Sequence, residues 1–195
     1  MRNEERGTRN EEGREIGDTS FVIDMKPEIE IIDDFVSNSD DLFRYLCKEV
    51  DWDERLKSRK TASYGVAYNY SGMAYPETEM LKELIPICEK IDFQIGFMPN
   101  NCLLNYYPDG NSTMGYHSDN WEQLEQNTGV VIISLGASRI ISYRNKKDKA
   151  IERKYTLNCG NMLYMSNSVQ EQWMHAIPKQ SQAEARISLT FRKIK

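Results

Sequence analysis

Arg186-Ile187-Ser188-Leu189-Thr190-Phe191-Arg192 switches between polar and apolar at every step. Side chains alternate between the two faces of a β-strand, so Arg186, Ser188, Thr190 and Arg192 are expected on one face and Ile187, Leu189 and Phe191 on the other. Working back from this stretch, the chain beyond Phe97 is a series of short β-rich runs at 101–107, 129–135, 139–144, 151–157, 161–165, 171–176 and 185–192. Turn residues separate them, among them Pro108-Asp109-Gly110-Asn111 and Asn158-Cys159-Gly160-Asn161, which accept the positive backbone angles of tight turns. Several strands at such spacing predict a sandwich or barrel. The expected class is α+β: a double-stranded β-helix (jelly-roll) core with N-terminal helices packed on one sheet.

The first half of the chain reads differently. Glu28 to Phe35 alternates apolar and acidic residues, as an opening strand would. Ser37-Asn38-Ser39-Asp40 offers helix N-caps, and Leu42, Phe43, Leu46, Cys47 and Val50 follow at helical spacing. From Pro76 a second helix is expected to carry Leu81, Leu84, Ile85, Cys88 and Ile91 on one face, with Pro86 kinking or splitting it. Both apolar stripes read as core. The Arg-Asn-Glu-Glu repeat near the start and the mixed charges around it predict a disordered tail over residues 1–24. Residues 25–195 then form a single domain, which a chain of 195 residues is long enough to build around one core.

A net charge of −5 argues against a broad electrostatic grip on nucleic acid and leaves room for a local basic groove. Cys47, Cys88, Cys102 and Cys159 form no CxxC pair, so they read as reduced core thiols. With no apolar run long enough to span a bilayer and no secretory h-region, the expectation is a monomer without membrane or obligate protein partner. Its expected location is the cytoplasm, or the nucleus in a eukaryote.

Chemistry concentrates on scarce residues. The chain has two histidines, His117 in His117-Ser118-Asp119 and His175 in Gln172-Trp173-Met174-His175. A His-x-Asp pair followed at a distance by one His is the sequence form of the facial triad, which holds non-haem Fe(II) and leaves three positions open. On a strand, His117 and Asp119 would point the same way. Arg186, eleven residues after His175, and Arg192 would be costly to bury without an anion. Guanidinium forks match carboxylates, which suits an arginine here to the far carboxylate of 2-oxoglutarate while the keto-acid end chelates iron.

Taken together, Asn105-Tyr106-Tyr107, His117-x-Asp119, His175 and the strand Arg186 to Arg192 resemble the AlkB family of Fe(II)/2-oxoglutarate dioxygenases, in its DNA-repair branch, over roughly residues 58–195. The resemblance implies that Asn105 and Tyr107 bind 2-oxoglutarate with the two arginines, and that Ser188, where an Asn is usual, lines the same pocket. It also implies a nucleotide-recognition lid at about 58–76, through Arg59 to Gly65 and Tyr68 to Gly72. Aromatics interleaved with basic residues suit a loop that stacks a flipped base and touches flanking phosphates, with Tyr70 and Tyr68 as stacking partners and Arg59 as a contact. Trp121, followed by Glu122, stands where repair-type relatives carry an acidic residue, and both are expected at the substrate. Fe(II), 2-oxoglutarate and O2 are the implied cofactor and co-substrates. The implied reaction is oxidative demethylation of N-alkylated bases in DNA or RNA, releasing formaldehyde, succinate and CO2. Two alternatives are the same chemistry on a protein or small molecule, and a catalytically silent nucleic-acid-binding module.

Overall fold

The computed structural model describes residues 25–70 and 72–195, with the backbone alone at Tyr70. The tail expected over 1–24 lies outside the described residues. The described chain is mostly β-sheet. In order it runs β1 (Ile29–Ile32), α1 (Ser39–Glu49), β2 (Lys60–Gly65), β3 (Tyr68–Tyr70), β4 (Met73–Tyr75), α2 (Ile85–Ile95), β5 (Asn101–Tyr107) and β6 (Met114–His117). It continues with β7 (Gly129–Gly136), β8 (Arg139–Asn145), β9 (Glu152–Leu157), β10 (Met162–Ser166), α3 (Asn167–Gln172), β11 (Trp173–Ile177) and β12 (Arg186–Arg192).

Three antiparallel sheets result: six strands in the order β1-β10-β7-β12-β5-β2, four in the order β6-β11-β8-β9, and the β3-β4 hairpin. From β5 onward the chain passes repeatedly between the two larger sheets, which is the winding of a jelly roll. Val130, Ile132, Leu163 and Met165 of the large sheet meet Ile141, Tyr143, Leu157, Trp173 and Ile177 of the small one in a core between the sheets. The outer face of the large sheet is also covered. Leu42 and Leu46 of α1 and Ile87, Cys88 and Ile91 of α2 share a second core with Leu104, Val131, Ile133, Ile187, Leu189 and Phe191. A central strand buried on both faces reads as a near-continuous apolar run, which accounts for the Val130 to Leu135 segment, interrupted by Ser134 alone.

Some boundaries differ from expectation for local reasons. The second helix begins at Ile85, not near Pro76, because Pro86 sits in its first turn, where the missing N–H has no intrahelical partner to lose. It ends at Gly96, in the left-handed conformation at φ 90° that closes many helices. The opening strand is confined to Ile29–Ile32, with Asp34 beyond it at positive φ. The strand expected over 171–176 starts only at Trp173, because Asn167–Gln172 forms one short helix after Ser166. No side-chain hydrogen bond from Asn38 caps α1. Among the described residues no helix is long and apolar enough to cross a membrane.

Most of the expected lid is sheet. β2 pairs with β5 along the edge of the six-stranded sheet, and Tyr75 Oη lies 2.6 Å from Thr61 Oγ1, tying the β3-β4 hairpin to it. At the end of β2, Gly65 takes φ 89°, and a Cβ there would lie 2.0 Å from the main-chain oxygen of Asn100. Gly65→Ala should therefore cost about 2 kcal/mol or more, since strained backbone and a clash with main chain add. Urea denaturation checks this, and a midpoint equal to that of the parent protein would contradict it.

Candidate active site

The inward face of β12 opens on a pocket between the two sheets. Arg186, Ser188, Thr190 and Arg192 line it from β12, Asn105 and Tyr107 from β5, and His117, Asp119 and His175 from the opposite side. Ile187, Leu189 and Phe191 point the other way, into the helix-covered core. The alternation of this strand thus places two arginines inside the fold, each at most 2% exposed.

His117 and His175 are direct register partners on β6 and β11, and their ring centroids are 4.3 Å apart. His117 Nδ1 lies 2.9 Å from the main-chain oxygen of Gly115, which can only accept, so Nδ1 donates there and Nε2 is the ring nitrogen turned to other partners. Asp119 arrives by a different route from the one expected. β6 ends at His117, so strand alternation does not orient Asp119. Arg192 Nη2 instead forms a buried ion pair with Asp119 Oδ1, and Gln170 Oε1 accepts the Asp119 main-chain N–H at 2.9 Å. Asp119 Oδ2 is buried without a hydrogen-bond partner among the described residues, 3.7 Å from His175 Nε2.

Burial alone would raise the Asp119 pKa, but Arg192, reinforced by His175 and His117, outweighs it and brings the group down to about 2. Burial, and then His117, pushes His175 down to about 3, so its imidazole is neutral at neutral pH and its approach to Asp119 is not an ion pair. Arg186 is fully buried. Its Nε donates to Ser134 Oγ at 2.9 Å and its Cζ lies 5.4 Å from the centre of the Tyr107 ring, while Nη1 and Nη2 have no hydrogen-bond partner among the described residues. Burial lowers its pKa to about 10, with Tyr107 opposing the shift, and the guanidinium stays charged at neutral pH.

The remaining expected site residues divide. Asn105 Oδ1 accepts from Arg59 Nε at 2.8 Å, and Arg59 is only 7% exposed. Arg59 therefore braces the pocket wall, whereas a residue that touches phosphates in solvent would be accessible. Tyr68 is buried, its ring 4.8 Å from the Arg192 guanidinium carbon, within a small cluster containing Leu103, Met73 and Tyr75. A ring packed this way lacks an open face for stacking a base. The Tyr70 side chain lies outside the described residues. Trp121 and Glu122 sit in the 3-10 turn Trp121–Gln123, exposed and apart from the residues lining the pocket. Sequence reasoning passed over Gln170 and Ser134, whose roles follow from what faces them, a relation that local pattern does not carry. It also passed over Arg139, fully buried, which donates to the main-chain oxygens of Asp109, Ser112 and Pro178.

Two imidazoles, one of them held neutral, and an ionised carboxylate with an unpartnered oxygen make a donor set that fits a divalent transition metal. Among the described residues no three His, Cys, Asp or Glu side chains stand together at metal-ligand spacing, His117, Asp119 and His175 included. The fit lies in ligand type, burial and protonation.

The sequence profile of the 2OG-Fe(II) oxygenase superfamily matches residues 36–192, and the chain belongs to that superfamily. Alpha-ketoglutarate-dependent dioxygenase alkB homolog 3 of Rattus norvegicus is 28% identical over 179 residues, covering 82% of this chain and 61% of the relative. DNA oxidative demethylase ALKBH2 of Homo sapiens is 30% identical over 185 residues, covering 81% and 69%. Within the superfamily, the chain is a member of the AlkB family. It spans about three fifths of the alkB homolog 3 relatives that it matches. The solved structure of OsALKBH1 shares the fold at a TM-score of 0.62 and 17% identity, covering 87% of this chain and 98% of that one.

Proposed function

We propose that this protein is an Fe(II)/2-oxoglutarate-dependent dioxygenase that oxidatively dealkylates N-alkylated nucleobases in DNA or RNA. The observation that carries the reading is Arg186, a fully buried guanidinium whose Nη atoms have no hydrogen-bond partner among the described residues, on the wall of a pocket that also holds His117, Asp119 and His175. A buried charge of this kind is stabilised by an anion that enters the pocket.

His117, Asp119 and His175 would hold the iron, and Arg186 would grip the distal carboxylate of 2-oxoglutarate through its Nη fork. Iron bound there would couple O2 and 2-oxoglutarate, released as succinate and CO2, to hydroxylation of a C–H bond. Where that carbon is a methyl on a base nitrogen, the hydroxylated product loses formaldehyde and the base is restored. Arg192 keeps Asp119 ionised, while Asn105, Tyr107 and Ser188 shape the co-substrate pocket. Leu103, Ile132 and Ile141 give it apolar walls that exclude water. Tyr70 is the candidate for base stacking, with Trp121 and Glu122 on the approach to the site. The lid over about 58–76 belongs to one dioxygenase domain over 25–195, acting as a monomer in cytoplasm or nucleus on alkylated nucleic acid.

Succinate release on oligonucleotides carrying 1-methyladenine or 3-methylcytosine, against unmethylated controls, tests the substrate class. Turnover that depends on the methyl group is the expected result. Succinate formed equally on methylated and unmethylated strands would shift the reading to a protein or small-molecule substrate. Absence of a charge-transfer band on anaerobic addition of Fe(II) and 2-oxoglutarate would favour the silent binding module. Tyr70→Ala should raise the KM for the methylated strand about tenfold, in line with ~1–3 kcal/mol for stacking one base, and leave the KM for 2-oxoglutarate unchanged.

A further inference from the structure

Asp119 is the one proposed ligand that no strand holds, because β6 ends two residues before it. Its carboxylate is gripped through Oδ1 by Arg192. Its main chain is gripped by Gln170, whose Oε1 accepts the Asp119 N–H at 2.9 Å. Gln170 is completely buried on α3, the short helix between β10 and β11. A backbone N–H can only donate, so the amide is oriented: oxygen toward Asp119, and Nε2 toward Met165 Sδ at 3.5 Å.

The surrounding segments are fastened at the same place. Lys146 Nζ donates to the main-chain oxygen of Gln170 at 2.6 Å, and Ser118 Oγ donates to that of Trp173 at 3.3 Å. An apolar side chain of similar length would fill this interior without the desolvation cost of an amide. What glutamine adds is the bond to Asp119.

Resting on the reading of His117, Asp119 and His175 as metal ligands, we propose that Gln170 is a positioning residue for the metal centre. It fixes the Asp119 main chain while Arg192 fixes Oδ1, so that Oδ2 is left toward the ion. Removing either grip lets the carboxylate swing about the other. Partners of this outer kind typically change metal affinity by about 10–100-fold when lost.

The test is Mn(II) titration of the full chain, read from the electron paramagnetic resonance signal of free Mn(II), which needs no turnover. Gln170→Met keeps the volume and removes the acceptor. Gln170→Glu keeps the shape and an acceptor oxygen opposite the Asp119 N–H. The expected result is about tenfold weaker Mn(II) binding in Gln170→Met, recovery in Gln170→Glu, and thermal midpoints close to that of the parent protein. Gln170→Ala takes the place of Gln170→Met should the latter fail to fold. Unchanged affinity in the acceptor-free variant, or equal weakening in both variants, overturns the proposal. Failure of the parent protein to bind Mn(II) overturns the ligand reading and this inference with it, which separates the two failures.

Discussion

Asp119→Ala is expected to abolish 2-oxoglutarate turnover and also to destabilise the fold. Loss of turnover follows from removing a proposed iron ligand. The stability effect follows from Arg192, which is 2% exposed and pairs with Asp119 Oδ1. Removing one partner of a buried ion pair leaves the other charge without compensation, at a cost of about 3–5 kcal/mol. Replacing both partners removes that penalty, so Asp119→Ala with Arg192→Met should recover most of the stability and none of the turnover. Succinate formation and urea denaturation report the two effects separately. Turnover retained in Asp119→Ala would sink the ligand assignment, and unchanged stability would show that the ion pair contributes little.

Arg186→Met should behave in the opposite way. Its Nη atoms have no hydrogen-bond partner among the described residues, so the substitution removes a buried charge that meets a counter-charge only when an anion binds. Stability without 2-oxoglutarate should stay level or rise. The KM for 2-oxoglutarate should increase by about 100-fold, because a charge-assisted hydrogen bond contributes ~1.5–3 kcal/mol and each 1.4 kcal/mol is about a factor of ten. With Mn(II) present, 2-oxoglutarate at about 100 times its Kd should stabilise the parent protein by ~2.7 kcal/mol, and this stabilisation should vanish in the variant. An unchanged KM in Arg186→Met would move the carboxylate anchor elsewhere in the pocket.

These contrasting expectations come from two arginines on the same face of one strand. The period-two pattern from Arg186 to Arg192 was legible in the sequence, as were β5, β7, β8 and β10 to within a residue or so, because alternation and turn residues are local signals. Which arginine finds an internal partner depends on the residues opposite, Ser134 for one and Asp119 for the other. That is a tertiary fact. The same limit explains Arg59, whose basic side chain in a turn-rich segment read as a phosphate contact and is instead folded inward against Asn105. It also explains α3, since a six-residue helix is too short to show a period of its own. His117 and Asp119 line one pocket as their spacing suggested, although the route is a turn held by Gln170 and Arg192.

The place of β12 in the large sheet has a consequence for assembly. It is the last of the described strands yet lies between β7 and β5, paired with β5 from Arg186 to Arg192 and with β7 from Arg186 to Phe191. Until residues 186–192 dock, the sheet has a gap at its centre, and the ligand carboxylate and both arginine positions are undefined. Contacts such as Arg192 with Asp119 span 73 residues of chain, and pairings this distant close slowly because loop entropy must be overcome first. The pocket proposed as catalytic and the completed sheet should therefore appear in the same late step, which makes gain of metal binding at the proposed site a reporter of the end of folding.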